Sequence, residues 1–228
     1  MSMLQPVKAE SLSAQVAETI REAIFRGELK PGQVLRELGL AKSLRVSQAT
    51  VREALSHLEH YGLVVRTPNR STSVTSLSPK EVKDRMKVWV ALETLAFTDA
   101  AKRINEDEMR EIEQLNAAVS SAIASRDSYE VMNADRMFHQ RIWEMAGNAS
   151  LARILDQLTT PVFAFMRGAS QAGSPEPASH NSLLQALRGR DHDKIAAAVV
   201  RHIEGPIATA LDMRAQEAPI RAESTITH

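Results

Sequence analysis

Asp135 and His139 stand four residues apart, the spacing that puts two side chains on one helical face about one turn apart, where they can share a ligand. Two more imidazoles can join them. His180 opens a segment after a loop-like stretch, and His202 lies 22 residues on in the last long helical segment, so two antiparallel helices would bring both rings to one point. One carboxylate and three imidazoles form a mixed oxygen and nitrogen donor set for a divalent metal. Zinc is the first candidate, though the donor list alone does not single it out. Nickel and manganese suit the same donors, with positions left open for water or a ligand. An Asp-x-x-x-His pair alone also reads as a surface ion pair.

A second set of side chains points to nucleic acid. Ser47-Gln48-Ala49-Thr50-Val51-Arg52 opens a helix with short or forked polar groups, as a helix needs when its N-terminal end enters a major groove. Gln48 can pair with adenine through two hydrogen bonds, Thr50 can reach a base edge or a thymine methyl, and Arg52 can fork onto guanine or a phosphate. The plainer reading of this stretch is a capped surface helix.

Both sets need elements to position them. The chain has 228 residues, 43% hydrophobic and 25% charged, with 28 Lys plus Arg against 28 Asp plus Glu, which fits one large or two modest folded domains. Cysteine is absent, which rules out disulfides, a thiolate nucleophile and Cys-ligated zinc, and agrees with a reducing cytoplasmic setting. The first 30 residues lack an apolar leader core, and the runs Val88 to Leu92 and Ile195 to Val200 are too short to span a bilayer, so no membrane is expected. The zero net charge hides an asymmetry: residues 1–78 hold ten Lys or Arg against seven Asp or Glu, which favours a polyanionic partner for the first third.

Leu12, Val16, Ile20 and Ile24 predict a first helix ending near Gly27, before the Pro31-Gly32 turn. A second apolar run (Leu35, Leu38, Leu40, Ala41, Leu44) leads to Ser47, the expected N-cap of a third helix whose Val51, Leu55 and Leu58 face inward and which Gly62 closes. Leu63 to Arg66 and Thr72 to Thr75 read as strands around the polar turn Thr67-Pro68-Asn69-Arg70-Ser71. Three helices and a hairpin make a winged helix-turn-helix over residues 1–78. Ser78-Pro79 starts a second domain, 79–228, expected to be all-helical, with capping signals at Asn105, Asp127, Gly147-Asn148, Ser174-Pro175 and Gly189 to Asp191. Gly168 to Pro177 is its most loop-like stretch, a tail follows Glu217, and Gly205-Pro206 should break or kink the last helix. The fold class is mainly α.

The stretches IREAIFRGELKPGQVLRE, LAKSLRVSQATVREALSHLEHYGLV and RTPNRSTSV resemble the GntR family of bacterial transcription regulators over Leu12 to Val74. ADRMFHQRIWEMAGNASLARIL and SHNSLLQALRGRDHDKIAAAVVRHI resemble the C-terminal effector-binding FCD domain of its FadR-type branch, over residues 79 to about 213. The resemblance implies DNA contacts by Thr50 and Arg52 in the major groove and by the wing at Asn69, Arg70 and Ser71 in the minor groove. Arg36, Arg45, Ser47 and Gln48 are further candidate DNA-facing residues. It also implies a metal held by Asp135, His139, His180 and His202 inside a helical bundle, and a small carboxylate effector that completes the metal shell. The chain departs from the family at Leu38, Arg45, Gln48 and Ser71, so operator bases cannot be carried over. Trp89 stands four residues before Glu93 where many relatives have Arg. Arg85, Arg141, Arg167 and Asn181 are candidate substitutes in the effector pocket, with Trp89 itself either lining it or packing in the core.

The expected function is a metabolite-responsive, DNA-binding transcription regulator, acting as a repressor, homodimeric on a near-palindromic double-stranded operator. A metal-dependent hydrolase is the alternative, since an Asp/His set can activate water. No separate general base is placed by motif, so an enzyme is not expected. RNA binding is disfavoured by 4% aromatic content with no stacking cluster in the basic segment.

Overall fold

The computed structural model describes residues 11–67, 71–125, 127–167 and 180–223, with backbone alone at 128, 167 and 217–223. Helix α1 (Leu12–Phe25) starts where the Ser11 hydroxyl accepts from the Ala14 N–H at 3.1 Å, and it buries Val16, Ile20 and Ile24 while Leu12, in its first turn, stays exposed. Strand β1 (Val34–Leu35) precedes α2 (Glu37–Leu44) and α3 (Gln48–His60). Val51, Ala54, Leu55 and Leu58 on α3 face the core, as their spacing requires.

The hairpin β2 (Val64–Thr67) and β3 (Ser71–Val74) is displaced by one residue at each strand from the expected spans. Gly62 takes φ +69, and the Leu63 N–H returns to the Leu58 carbonyl at 2.9 Å, so Leu63 finishes α3 instead of opening the strand. β1 was not expected from so short a segment. It adds to β3, giving an antiparallel sheet in the order β1-β3-β2, with Val34 and Val65 both opposite Ser73. The wing tip at 68–70 lies outside the described residues, and with it Asn69 and Arg70.

The remaining helices are α4 (Pro79–Arg103), α5 (Glu106–Ser125), α6 (Ser128–Met145), α7 (Ala149–Arg167), α8 (Asn181–Gly189) and α9 (His192–Glu223). Their starts follow the caps. Ser78 and Glu81 form a capping box, Asn105 and Glu108 exchange backbone N–H bonds at 2.9 and 3.0 Å, and Asp127, Asn148 and Asp191 accept at the N-termini of α6, α7 and α9, while His180 precedes α8 without a side-chain cap bond. Helix α4 is central, packing against α6, α7, α8 and α9. The loop-like stretch 168–177 and the Ser174-Pro175 signal lie outside the described residues. Among the described residues after 79 no strand forms, and no helix is long and apolar enough to cross a membrane.

Two expectations for α9 need correction. The helix passes through Gly205-Pro206 unbroken and continues to Glu223 beyond Glu217. Proline removes one N–H, whose acceptor would be the His202 carbonyl, and buried Ile203, Ile207 and Ala210 on either side offset that loss by packing. Ala215, Gln216, Glu217 and Ala218 are good helix formers that favour continuation over a tail, and the helix also runs through Pro219.

Helix α1 lies against α6 and α7. Arg26 Nη1 donates to both Asp127 oxygens at 3.0 and 3.1 Å, its guanidinium covers the Tyr129 ring at 5.2 Å, and the Tyr129 hydroxyl donates to Glu18. Nearby, Gly62 sits so close to α7 that a Cβ there would lie 3.0 Å from Pro161 Cγ.

Candidate metal centre and nucleic-acid interface

Four buried donors converge inside the bundle. Helix α6 supplies Asp135 and His139 from one face, His180 caps the start of α8, and His202 projects from α9. One ligand atom from each lies within 4.8 Å of all the others. His139 Nε2 and His202 Nε2 are 3.0 Å apart, and His180 Nε2 is 3.1 Å from Asp135 Oδ1. That last pair lacks hydrogen-bond alignment: Asp135 Oδ1 and His180 Nε2 are both buried with no bonded partner, and His202 Nδ1 is a third such atom. Buried polar atoms without partners are costly, and a cation beside Asp135 Oδ1 and His180 Nε2 would satisfy both. The donor set and its orphaned atoms fit a divalent metal.

An outer layer fixes the orientation of His139. Glu93 on α4 is only 1% exposed, and its Oε1 accepts from His139 Nδ1 at 2.7 Å. Its Oε2 accepts from Trp89 Nε1 at 3.0 Å and from Trp143 Nε1 at 2.9 Å. With the proton held on Nδ1, the lone pair of Nε2 faces the centre, the carboxylate–histidine arrangement that raises ligand basicity. The sequence reading used Glu93 only as a landmark and gave Trp143 no role. The available signal was an acid within the stripe Val82, Trp89, Ala96, Phe97 and Ala100, since a buried carboxylate must find partners.

Electrostatics suits ligation. Burial acts to raise the Asp135 carboxyl, but contact with His180 and the neighbouring imidazole charges outweigh it and lower it to about 2. Burial holds the His180 imidazole below its ordinary value. Burial, followed by the charges of His139 and His180, lowers His202 well below it. Burial opposes protonation of His139 too, yet the Glu93 charge and hydrogen bond raise it. Phe138 tilts against the His180 ring with centroids 4.1 Å apart and limits its rotation.

The other effector-pocket candidates are dispersed. Trp89 is buried against Phe163 and committed to Glu93. Arg85 donates to the Leu158 carbonyl at 3.3 Å, and Arg141 pairs outward with Glu111 at 2.8 Å and Glu144 at 3.2 Å. Asn181 is exposed and accepts from Asn116 at 3.4 Å. The Arg167 side chain lies outside the described residues. His57, His60 and His192 are exposed and away from the four donors.

In the winged unit, α3 presents Gln48 and Arg52 outward while its apolar face is buried. Ser47 accepts from the Thr50 N–H at 3.0 Å, and the two hydroxyls are 2.8 Å apart. Glu37 ties the outer groups together: it accepts from Gln48 at 3.0 Å and from Arg52 Nη2 at 2.9 Å. Arg66 Nη2 donates to the Arg52 carbonyl at 2.7 Å, joining the sheet to the helix. Arg36 is the N-cap residue of α2, and Arg45 ends it at φ 55, where the left-handed conformation usually favours glycine. The structure therefore groups Gln48, Thr50 and Arg52, with Arg36 and Arg45 at the ends of the preceding helix.

Comparison with known proteins matches residues 12–74 to the bacterial regulatory proteins of the GntR family and residues 84–205 to the FCD domain. The chain belongs to the GntR family, in its FCD branch. This GntR-family chain is 30% identical over 145 residues to the HTH-type transcriptional regulator YdhC of Bacillus subtilis, a match covering 63% of this chain and 65% of that protein, just under two thirds of its length. It is 23% identical over 192 residues to the HTH-type regulator McbR of Escherichia coli, covering 82% of this chain and 87% of that one. It is also 27% identical over 215 residues to a probable D-xylose utilization operon transcriptional repressor of Paenarthrobacter nicotinovorans, covering 93% and 95%. The solved structure of Escherichia coli McbR/YncC superposes with a TM-score of 0.77 at 22% identity, over 90% of this chain and 99% of that one, a likeness of fold. The relatives are named as transcription regulators rather than enzymes, and the hydrolase alternative is set aside.

Proposed function

We propose that this GntR-family regulator is a metabolite-responsive repressor, with residues 1–78 reading double-stranded DNA and residues 79–228 binding a divalent metal and a small carboxylate. The observation that carries the reading is the buried convergence of Asp135, His139, His180 and His202 behind an outward-facing α3. Those four residues would hold the metal, for which zinc is the first candidate; when bound, it supplies open coordination positions to a carboxylate. Glu93 orients His139, and the apolar surroundings exclude water from the donors. Repression is supported by relatives named as repressors in Paenarthrobacter nicotinovorans and Escherichia coli.

The α3 face would supply the DNA contacts through Ser47, Gln48, Thr50 and Arg52, with Arg36, Arg45 and the wing residues Asn69 and Arg70 around them. Val88 and Leu95 on α4 and Ile154 on α7 are exposed apolar residues on neighbouring helices, and they support pairing of two copies. The test is a gel-shift titration on DNA from upstream of the gene, with and without zinc and a panel of small carboxylates. Arg52→Ala is expected to lose operator affinity. His180→Ala is expected to keep DNA binding while losing zinc and the carboxylate response; a wild-type carboxylate response in that variant removes the metal from the proposal.

A further inference from the structure

A cavity of about 130 Å³ lies where α1 meets α6 and α7. Arg21 reaches it from α1, Tyr61 from the turn after α3, Arg136 and Gln140 from α6, and Asp156 and Thr160 from α7. A cavity able to hold one water needs roughly 10–15 Å³, so the space admits several waters or a small ion. Two arginines share it. Arg21 pairs with Glu18 through Nη2, yet its Nε is buried with no hydrogen-bond partner. Arg136 forms no ion pair among the described residues: Nη2 has a long 3.4 Å bond to Asn133, and its buried Nε has no partner. Asp156, the nearest acid on the opposite wall, is engaged by Gln140 at 3.2 Å and by Thr160 at 3.3 Å.

A guanidinium is an obligate donor that does not shed its charge; Glu18 and Asp156 act on Arg136 only as nearby charges, so its buried Nε–H and its fork are left without a direct ionic partner. We propose that this cavity binds a small oxyanion, of carboxylate or phosphate size, between Arg21 and Arg136. The anion replaces the mutual repulsion of the arginines with planar charge-assisted bonds and satisfies both orphaned Nε–H groups. Asp156 on the far wall favours a singly charged occupant. The site is distinct from the Asp/His centre, because Arg136 and Gln140 leave α6 on a different side from Asp135 and His139. It joins the reading head to the bundle.

The experiment uses the full chain stripped of metal, titrated with sodium acetate and, separately, inorganic phosphate at constant ionic strength held with chloride, followed by thermal unfolding and calorimetry. The expected result is a saturable stabilisation by at least one oxyanion, weakened about tenfold or more in Arg136→Gln and preserved in His180→Ala, as loss of a charge-assisted bond implies. Arg136→Lys, which keeps the charge but loses the fork, is expected to retain part of the response. If Arg136→Gln fails to fold, Arg21→Gln takes its place from the other wall, with the same weakening expected. No saturable response, or a response that survives both glutamine variants or is lost only in His180→Ala, overturns the proposal.

Discussion

Glu93→Gln isolates the outer layer of the metal centre. The carboxylate accepts three N–H groups, from His139, Trp89 and Trp143, with no donor of its own. Glutamine keeps the volume but offers one acceptor oxygen and an NH₂ group. If that NH₂ meets His139 Nδ1, the ring must present a lone pair there and carry its proton on Nε2, in the face of the other donors. If it meets the indoles, two buried N–H groups lose their acceptor. A charge-assisted bond contributes about 1.5–3 kcal/mol and an unsatisfied buried donor costs about 1–3 kcal/mol, so destabilisation on the order of 3 kcal/mol is expected in either arrangement. Metal affinity should fall about 10- to 100-fold, the usual effect of removing an outer partner of a ligating histidine. The chain has two tryptophans, both bonded to Glu93, so zinc titration against a competing chelator can be followed by intrinsic emission. Wild-type zinc affinity in a folded Glu93→Gln protein would refute the reasoning.

Three further outcomes follow from the coordinates. Zinc at about 100 times its dissociation constant should stabilise by about 2.7 kcal/mol, so a chelator should lower Tm by roughly 5–10 °C in wild type and leave His180→Ala unmoved; equal shifts in both would disprove zinc binding at this centre. Gly62→Ala forces a Cβ into φ +69 and toward Pro161 Cγ, costing about 1–2 kcal/mol from the left-handed backbone alone, and an unaltered denaturation midpoint would contradict the close approach. Pro206→Ala restores an N–H facing the His202 carbonyl in the interior of α9 and should raise stability by up to about 3 kcal/mol, whereas a lower urea midpoint would show that the helix needs proline there.

Much of the fold could be read because its signals are local. Ser47, Ser78, Asn105 and Asp127 cap helices where the sequence places them, and the spacing of Val51, Leu55 and Leu58 gives the buried face of α3. Asp135 and His139 were legible for the same reason, being one turn apart on one helix. What was missed depends on distant partners. β1 exists only because β3 pairs with Val34 and Leu35. Glu93 gains its role from histidine and tryptophan side chains, one of them 50 residues away. The Glu37 clasp on Gln48 and Arg52 spans two helices, and no periodicity within either one announces it. Pro206 misled because a local rule for helix breaking was outweighed by tertiary packing around Ile203 and Ile207.

Helix α6 carries two jobs in registers one residue apart: Asp135 and His139 aim inward, Arg136 and Gln140 aim at α1 and α7, and Asp127 at its N-terminus grips Arg26. Successive residues on a helix are separated by about 100° around its axis, so a rigid rod cannot reposition one pair and leave the other still. Any roll of α6 that tightens the inner donors also drags the outer pair across the underside of the winged unit. A single axle thus ties the four inner donors to the seat of the winged unit on the bundle.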